Sequence, residues 1–243
     1  MDNIQINSFE RSALYEIFAS LYLQIPTIDT VQGIPSILEE ASKILSSIDF
    51  EPLIEEAQER SKRADGEDNT IKALQEEYYD HFFVPSTKHY IPPYESAVVE
   101  ATVKNGRKNI KWKYGSLWTN STYHVSQCYD SVGFNPWDLN IGEGLKQSKV
   151  PDHIGFQLAF MAYLCYKEAI CNELIIENET NTDKEKEAAK MWKKLQKQFL
   201  EEHLQKFVLS YYEIAKDKFN PFYLQVMNAV NRYIEWDLAA IVI

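Results

Sequence analysis

Five histidines, three cysteines and a surplus of carboxylates are the groups in this 243-residue chain able to carry chemistry, and their spacing excludes the commoner kinds. His81, His89, His124, His153 and His203 are dispersed. None stands in His-Glu-x-x-His, and no Glu-x-x-His pair is available for a di-iron site in a helical bundle. No metal ligand set is therefore expected, and Glu201-Glu202-His203 reads as a polar helix face. Cys128, Cys165 and Cys171 lack Cys-x-x-Cys spacing. The last two lie on an apolar stretch, where cysteine packs as a small hydrophobe, and no histidine follows Cys128 at a spacing that makes a pair obvious. Lys104, Arg107, Lys108, Lys111 and Lys113 surround Gly106 without a Gly-x-x-x-x-Gly-Lys-Ser/Thr motif, so they read as an exposed basic loop and not as a phosphate cradle. No catalytic residue and no cofactor is expected.

Two short constellations remain. Asp152-His153 precedes a strongly apolar segment, where a carboxylate accepts backbone hydrogen bonds as a helix N-cap and an imidazole enters the first turn. Tyr94-Glu95-Ser96 follows Ile91-Pro92-Pro93, and a carboxylate at that helix start is favoured by the helix dipole. The whole stretch from Glu76 to Ser96 combines an aromatic helix end, a stop at Val84-Pro85 and a stiff proline pair. It reads as a place for recognition, with nothing resembling a catalytic centre.

The elements that must position these groups are helical. Hydrophobic residues make up 45% of the chain and there are only 8 glycines, which points away from a dinucleotide-binding sheet. Apolar residues at Phe9, Ala13, Leu14, Ile17, Phe18, Leu21 and Tyr22 mark a first helix over 8–23, with Ser8 as its cap. Weaker patterns follow over 34–47 and 50–63, the latter ending in the polar turn 64–69. An aromatic helix starts at Thr70. Leu117, Trp118, Tyr123 and Cys128 are core positions of a helix over 116–131. Ile154 to Ile170 is apolar around most of its circumference and predicts a central helix. After a polar break at 178–183, a long helix over 184–216 kinks near His203, and Asn220-Pro221 opens the last helix. The fold expected is all-α, a single compact multi-helix domain without a convincing strand, with residues 135–150 as a hinge between its two halves.

The formal charge of -11 disfavours nucleic-acid binding, since no basic face is available to release counterions from a phosphate backbone. An odd cysteine count with no basic-then-apolar leader is the pattern of a cytoplasmic protein with free thiols, and no apolar run is long enough to insert in a membrane.

Taken together, several segments resemble the TorD/DmsD/NarJ-type family of redox-enzyme maturation chaperones. Tyr78 to Val98, YYDHFFVPSTKHYIPPYESAV, is similar to that family's aromatic helix end followed by proline-proline-tyrosine and a glutamate-serine pair. Pro151 to Ala169, PDHIGFQLAFMAYLCYKEA, resembles its aspartate-histidine helix start. Phe199 to Ile234 resembles its terminal helical region, and Ala13 to Pro26 fits less specifically. Val84-Pro85 stands where many relatives have glycine-proline, and Gln157 occupies a place often acidic.

The resemblance implies a cytoplasmic all-helical chaperone of the TorD-like type. Its client would be the catalytic subunit of a molybdenum-cofactor-containing reductase, bound through its N-terminal leader, often a twin-arginine one, or as the folding apoenzyme. It also implies a monomer or a domain-swapped dimer. Tyr79, Pro92, Tyr94, Glu95, Ser96, Asp152, His153, Phe156 and Phe160 are then the peptide-binding candidates, with the aromatic rings lining a groove and Glu95 and Asp152 meeting basic groups. A generic helical scaffold and a small enzyme with an unrecognised site are the alternatives.

Overall fold

The computed structural model describes residues 6–64, 68–105, 110–177 and 182–242. Helix α1 (Ser8–Leu23) is opened by Asn7 rather than Ser8, its side chain accepting from the Glu10 amide at 2.9 Å while the Glu10 carboxylate accepts from the Asn7 amide. Helix α2 (Ile28–Ile44) begins earlier than its apolar pattern suggests, because Thr27 and Thr30 form a reciprocal capping box ahead of Gly33 and Pro35. Helices α3 (Glu51–Ala64) and α4 (Asp68–Phe82) follow, with residues 65–67 of the expected polar turn outside the described residues. The short α5 (Glu95–Val99) leads to α6 (Asn120–Val132), α7 (Glu143–Ser148), α8 (Ile154–Glu177), α9 (Thr182–Phe199), α10 (Gln205–Ala215) and α11 (Pro221–Ala240). Most of the expected polar break, 178–181, also lies outside the described residues.

Helix α8 is central. It packs against α1 on one side and α9 on the other, with Ile154, Phe156, Leu158, Met161, Leu164 and Cys165 buried. Such a helix is apolar all round because it meets neighbours all round. Polar ties reinforce the packing. Arg11 of α1 donates from Nε and Nη2 to Asp237 of α11 at 2.6 and 2.9 Å, and from Nη1 to Glu168 of α8 at 3.3 Å. Tyr15 donates to the same Asp237 at 2.7 Å, and Gln196 of α9 donates to Glu168 at 2.9 Å. Four helices thus share one buried ionic network.

Between α9 and α10, residues Leu200–Leu204 form a π turn, which accounts for the expected irregularity near His203. Such a turn inserts one residue into the helical register and rotates the following face.

Two expectations fail locally. The basic segment is not a loop throughout: strands β1 (Thr102–Asn105) and β2 (Ile110–Lys113) pair antiparallel, Thr102 opposite Lys113 and Val103 opposite Trp112. Arg107 and Lys108 lie outside the described residues. Leu117 and Trp118 are exposed, not core, because α6 starts only at Asn120, with Trp118 at φ 61° in the approach to it, and Tyr123 is exposed on the outer face of α6 itself. The connection 135–150 carries a 3₁₀ turn at Pro136–Asp138 and α7, and buries Ile141, Leu145 and Val150. Among the described residues no helix is long and apolar enough to cross a membrane.

Candidate functional site: the joint of α5, α6, α8 and the π turn

The two constellations, far apart in sequence, are brought together as one joint. The Ile154 amide donates to the Pro93 carbonyl at 2.9 Å, the Glu95 amide donates to the Asp152 carbonyl at 3.0 Å, and Tyr94 and His153 form an antiparallel bridge between them. The proline pair makes this possible: Pro93 has no N–H to satisfy and offers only its carbonyl to the partner segment.

Asp152 was expected to cap its own helix. Instead its Oδ2 accepts from the Ser96 amide at 2.9 Å and from Thr122 Oγ1 at 3.1 Å. Ser96 lies in the first turn of α5, whose own N-cap residue, Tyr94, makes no side-chain capping bond. Asp152 therefore caps α5 from another part of the chain and ties it to α6. Burial pushes its carboxyl above the usual range, against the opposing hydrogen bonds from Ser96 and Thr122.

The cap of α8 is His153. Its Nδ1 accepts from the Gly155 amide at 3.1 Å, so the neutral ring carries its proton on Nε2. Complete burial pushes its pKa down to about 3, in keeping with a neutral cap. Gly155 is needed there, since a Cβ would stand 2.5 Å from Leu23 Cγ, where the end of α1 crosses α8.

Glu95 is buried as well, so its position at a helix start reflects partners more than the helix dipole. Its carboxylate accepts from Gln157 Nε2 at 2.8 Å and from Ser121 Oγ, and it faces His203 Nδ1 at 3.0 and 3.1 Å. His203 is thus no part of a polar face; the π turn aims it inward, where it is 3% exposed. Burial alone would lower its pKa, but the Cys128 and Glu95 side chains outweigh it and hold the imidazole at about 9. On its other side, His203 Nε2 lies 2.8 Å from His124 Nδ1. The sequence conceals this group: His124 and Cys128 are one helical turn apart, whereas His203 reaches them only through the π turn.

The remaining candidates divide by exposure. Tyr79 is 39% exposed and Tyr94 is half-buried, while Pro92, Ser96, Phe156 and Phe160 are buried. Phe156 packs edge-on to Trp137 at 5.2 Å, and Phe160 sits among Tyr129, Phe134 and Phe199. In this conformation neither Phe156 nor Phe160 offers its ring to an open groove beside Tyr94.

A second feature lies elsewhere. A cavity of about 330 Å³ opens between α1, α2, α3 and α11, walled by Ile17, Leu21, Val31, Ile34, Ile37 and Phe222, with Asp29 and Arg60 among its few charged residues. Arg60 is fixed by Glu77 and lies 3.8 Å over the Phe222 ring.

No curated protein and no solved structure matches the chain. The family model described as nitrate reductase delta subunit matches residues 49–212, a span that contains both halves of the joint. The match covers more than half of the chain, and the chain belongs to this family of molybdoenzyme maturation chaperones, which is a chaperone family rather than a catalytic one.

Proposed function

We propose that the chain holds the catalytic subunit of a molybdenum-cofactor-containing reductase in the cytoplasm, by its N-terminal leader, until cofactor insertion is complete and assembly or export can follow. The mechanism is recognition without a covalent step. The observation that carries the peptide-binding part is the apolar cavity beside α1 and α2, whose half-exposed Leu21, Ile34 and Ile37 surround an exposed Asp29. An amphipathic leader places apolar anchors at helical spacing into such a depression, and a basic residue then meets the carboxylate at its edge. The net charge of -11 steers a basic leader towards the chain and speeds its encounter.

The joint supports a second reading. Asp152 Oδ1, His153 Nε2 and Gln157 Oε1 are buried there without a hydrogen-bond partner. Buried polar atoms are normally paired, so unpaired ones gathered at one joint favour a second arrangement in which a client supplies partners. In that reading Tyr79 and Tyr94 meet the client first. Pro92, Glu95, Ser96, Asp152, His153, Phe156 and Phe160 then contact it as α5 moves from α8.

The test is recovery of the client from native cytoplasm, then calorimetric titration of its leader into the wild type, Leu21→Asp/Ile34→Asp and Tyr94→Ala. Affinity lost tenfold or more only in the cavity variant selects the first reading; loss only in Tyr94→Ala selects the second. Binding that needs the enzyme body and ignores the leader refutes leader recognition. Failure to bind either refutes the chaperone role and leaves a generic helical scaffold. Light scattering on the same samples separates a monomer from a dimer swapped through 135–150.

A further inference from the structure

We propose that His124, Cys128 and His203 form a binding site for a divalent transition metal ion, of the zinc class, with the fourth position open to solvent. One donor atom from each of the first three lies within 4.8 Å of the others. His124 and Cys128 stand four apart on α6 and share one face of it. His203 comes from the π turn, whose extra residue brings its ring across to that face.

The chemistry of the set is specific. Two imidazoles and a thiol are the borderline and soft donors that zinc takes in tetrahedral sites, with Zn–N about 2.0–2.1 Å and Zn–S about 2.3 Å. Those bond lengths place ligands roughly 3–4 Å apart, within the span these side chains already occupy. The outer shell is present too. Glu95 accepts at His203 Nδ1, fixing the ring with Nε2 turned towards His124, the carboxylate–imidazole arrangement that orients metal-binding histidines. Access is open as well, for His124, Cys128 and Glu202 line a cavity of about 220 Å³. An ion there would join α6 to the π turn directly.

The test uses the full chain, freed of metal by a chelator, titrated with Co²⁺ and followed by visible absorption, then with Zn²⁺ against a chromophoric chelator. One equivalent is expected to bind, with a thiolate-to-cobalt charge-transfer band that vanishes in Cys128→Ser and at least a tenfold loss of affinity in His124→Gln. Both positions are partly exposed, so the variants are expected to keep the wild-type circular dichroism. A readout independent of any variant is alkylation: Zn²⁺ is expected to protect Cys128 and to leave Cys171, also partly exposed, as reactive as before. No stoichiometric uptake, equal affinity in wild type and variants, or unprotected Cys128 overturns the site.

Discussion

Replacing Asp152 by alanine removes one acceptor that two buried donors share, and the loss can be worked from the joint itself. The Ser96 amide and the Thr122 hydroxyl would be left without a partner, each at about 1–3 kcal/mol. Relief of burying a carboxyl whose pKa burial has raised offsets part of this. A net destabilisation of about 3 kcal/mol is expected, measured as the change in urea midpoint at constant slope. Asp152→Asn keeps an acceptor oxygen and is expected to cost about 1 kcal/mol or less. Native-state hydrogen exchange adds a local readout, because the Ser96 amide is expected to lose protection in Asp152→Ala and to keep it in Asp152→Asn. Were Asp152 an ordinary cap of its own helix, alanine would cost about 0.5–2 kcal/mol and leave Ser96 protected. A small loss with Ser96 still protected, or equal losses in the two variants, would refute capping from across the chain.

Acid is expected to weaken the fold through buried histidines. His81 donates from Nδ1 to the Glu77 carbonyl and accepts the Asn220 amide at Nε2, and burial lowers its pKa from 6.5 to about 4. Between those values the unfolded chain binds the proton and the folded chain does not, so stability falls with pH across that window and levels below it. The loss is about 1.4 kcal/mol per pH unit, roughly 3 kcal/mol in all, and His153 adds in the same direction. Urea unfolding at pH 6.5 and 4.5 measures it, below the window in which the raised pKa of His203 acts with the opposite sign, and His81→Gln is expected to flatten the slope. Gly155→Ala forces a methyl onto Leu23 and is expected to cost about 1–3 kcal/mol in thermal or urea unfolding, with the penalty shrinking in a Leu23→Ala background. Arg11→Met strands Asp237 and Glu168 as buried carboxylates and is expected to cost about 3–5 kcal/mol at pH 7, read from urea unfolding.

How much was legible in the sequence depended on how local the cause was. The apolar period marked α1, α8 and α11, and the Asn220-Pro221 start of α11 was readable from types alone. The hairpin was hidden because its strands are four residues each and lysine-rich, so the alternation of Ile110 and Trp112 with Lys111 and Lys113 is too short to stand out as a strand pattern. Asp152 and His153 drew notice as a pair, yet their roles exchanged. The carboxylate serves a helix 56 residues earlier, and the ring does the capping expected of the carboxylate. Spacing rules relate neighbours on one helix, so they cannot see a cap supplied from elsewhere. The same holds for His203: its outward phase belongs to a regular helix, and the π turn changes that phase.

The five-residue α5 has a consequence for synthesis. A helix this short does not sustain itself, since the first turn costs more than its hydrogen bonds return. Its cap arrives only with Asp152, 56 residues later, which at about 5–20 residues per second is roughly 3–11 s of elongation. During that interval the first half of the chain carries its aromatic helix end and proline pair without the segment that locks them. The nascent protein therefore passes through a period in which the stretch from Glu76 to Ser96 is not yet tied down.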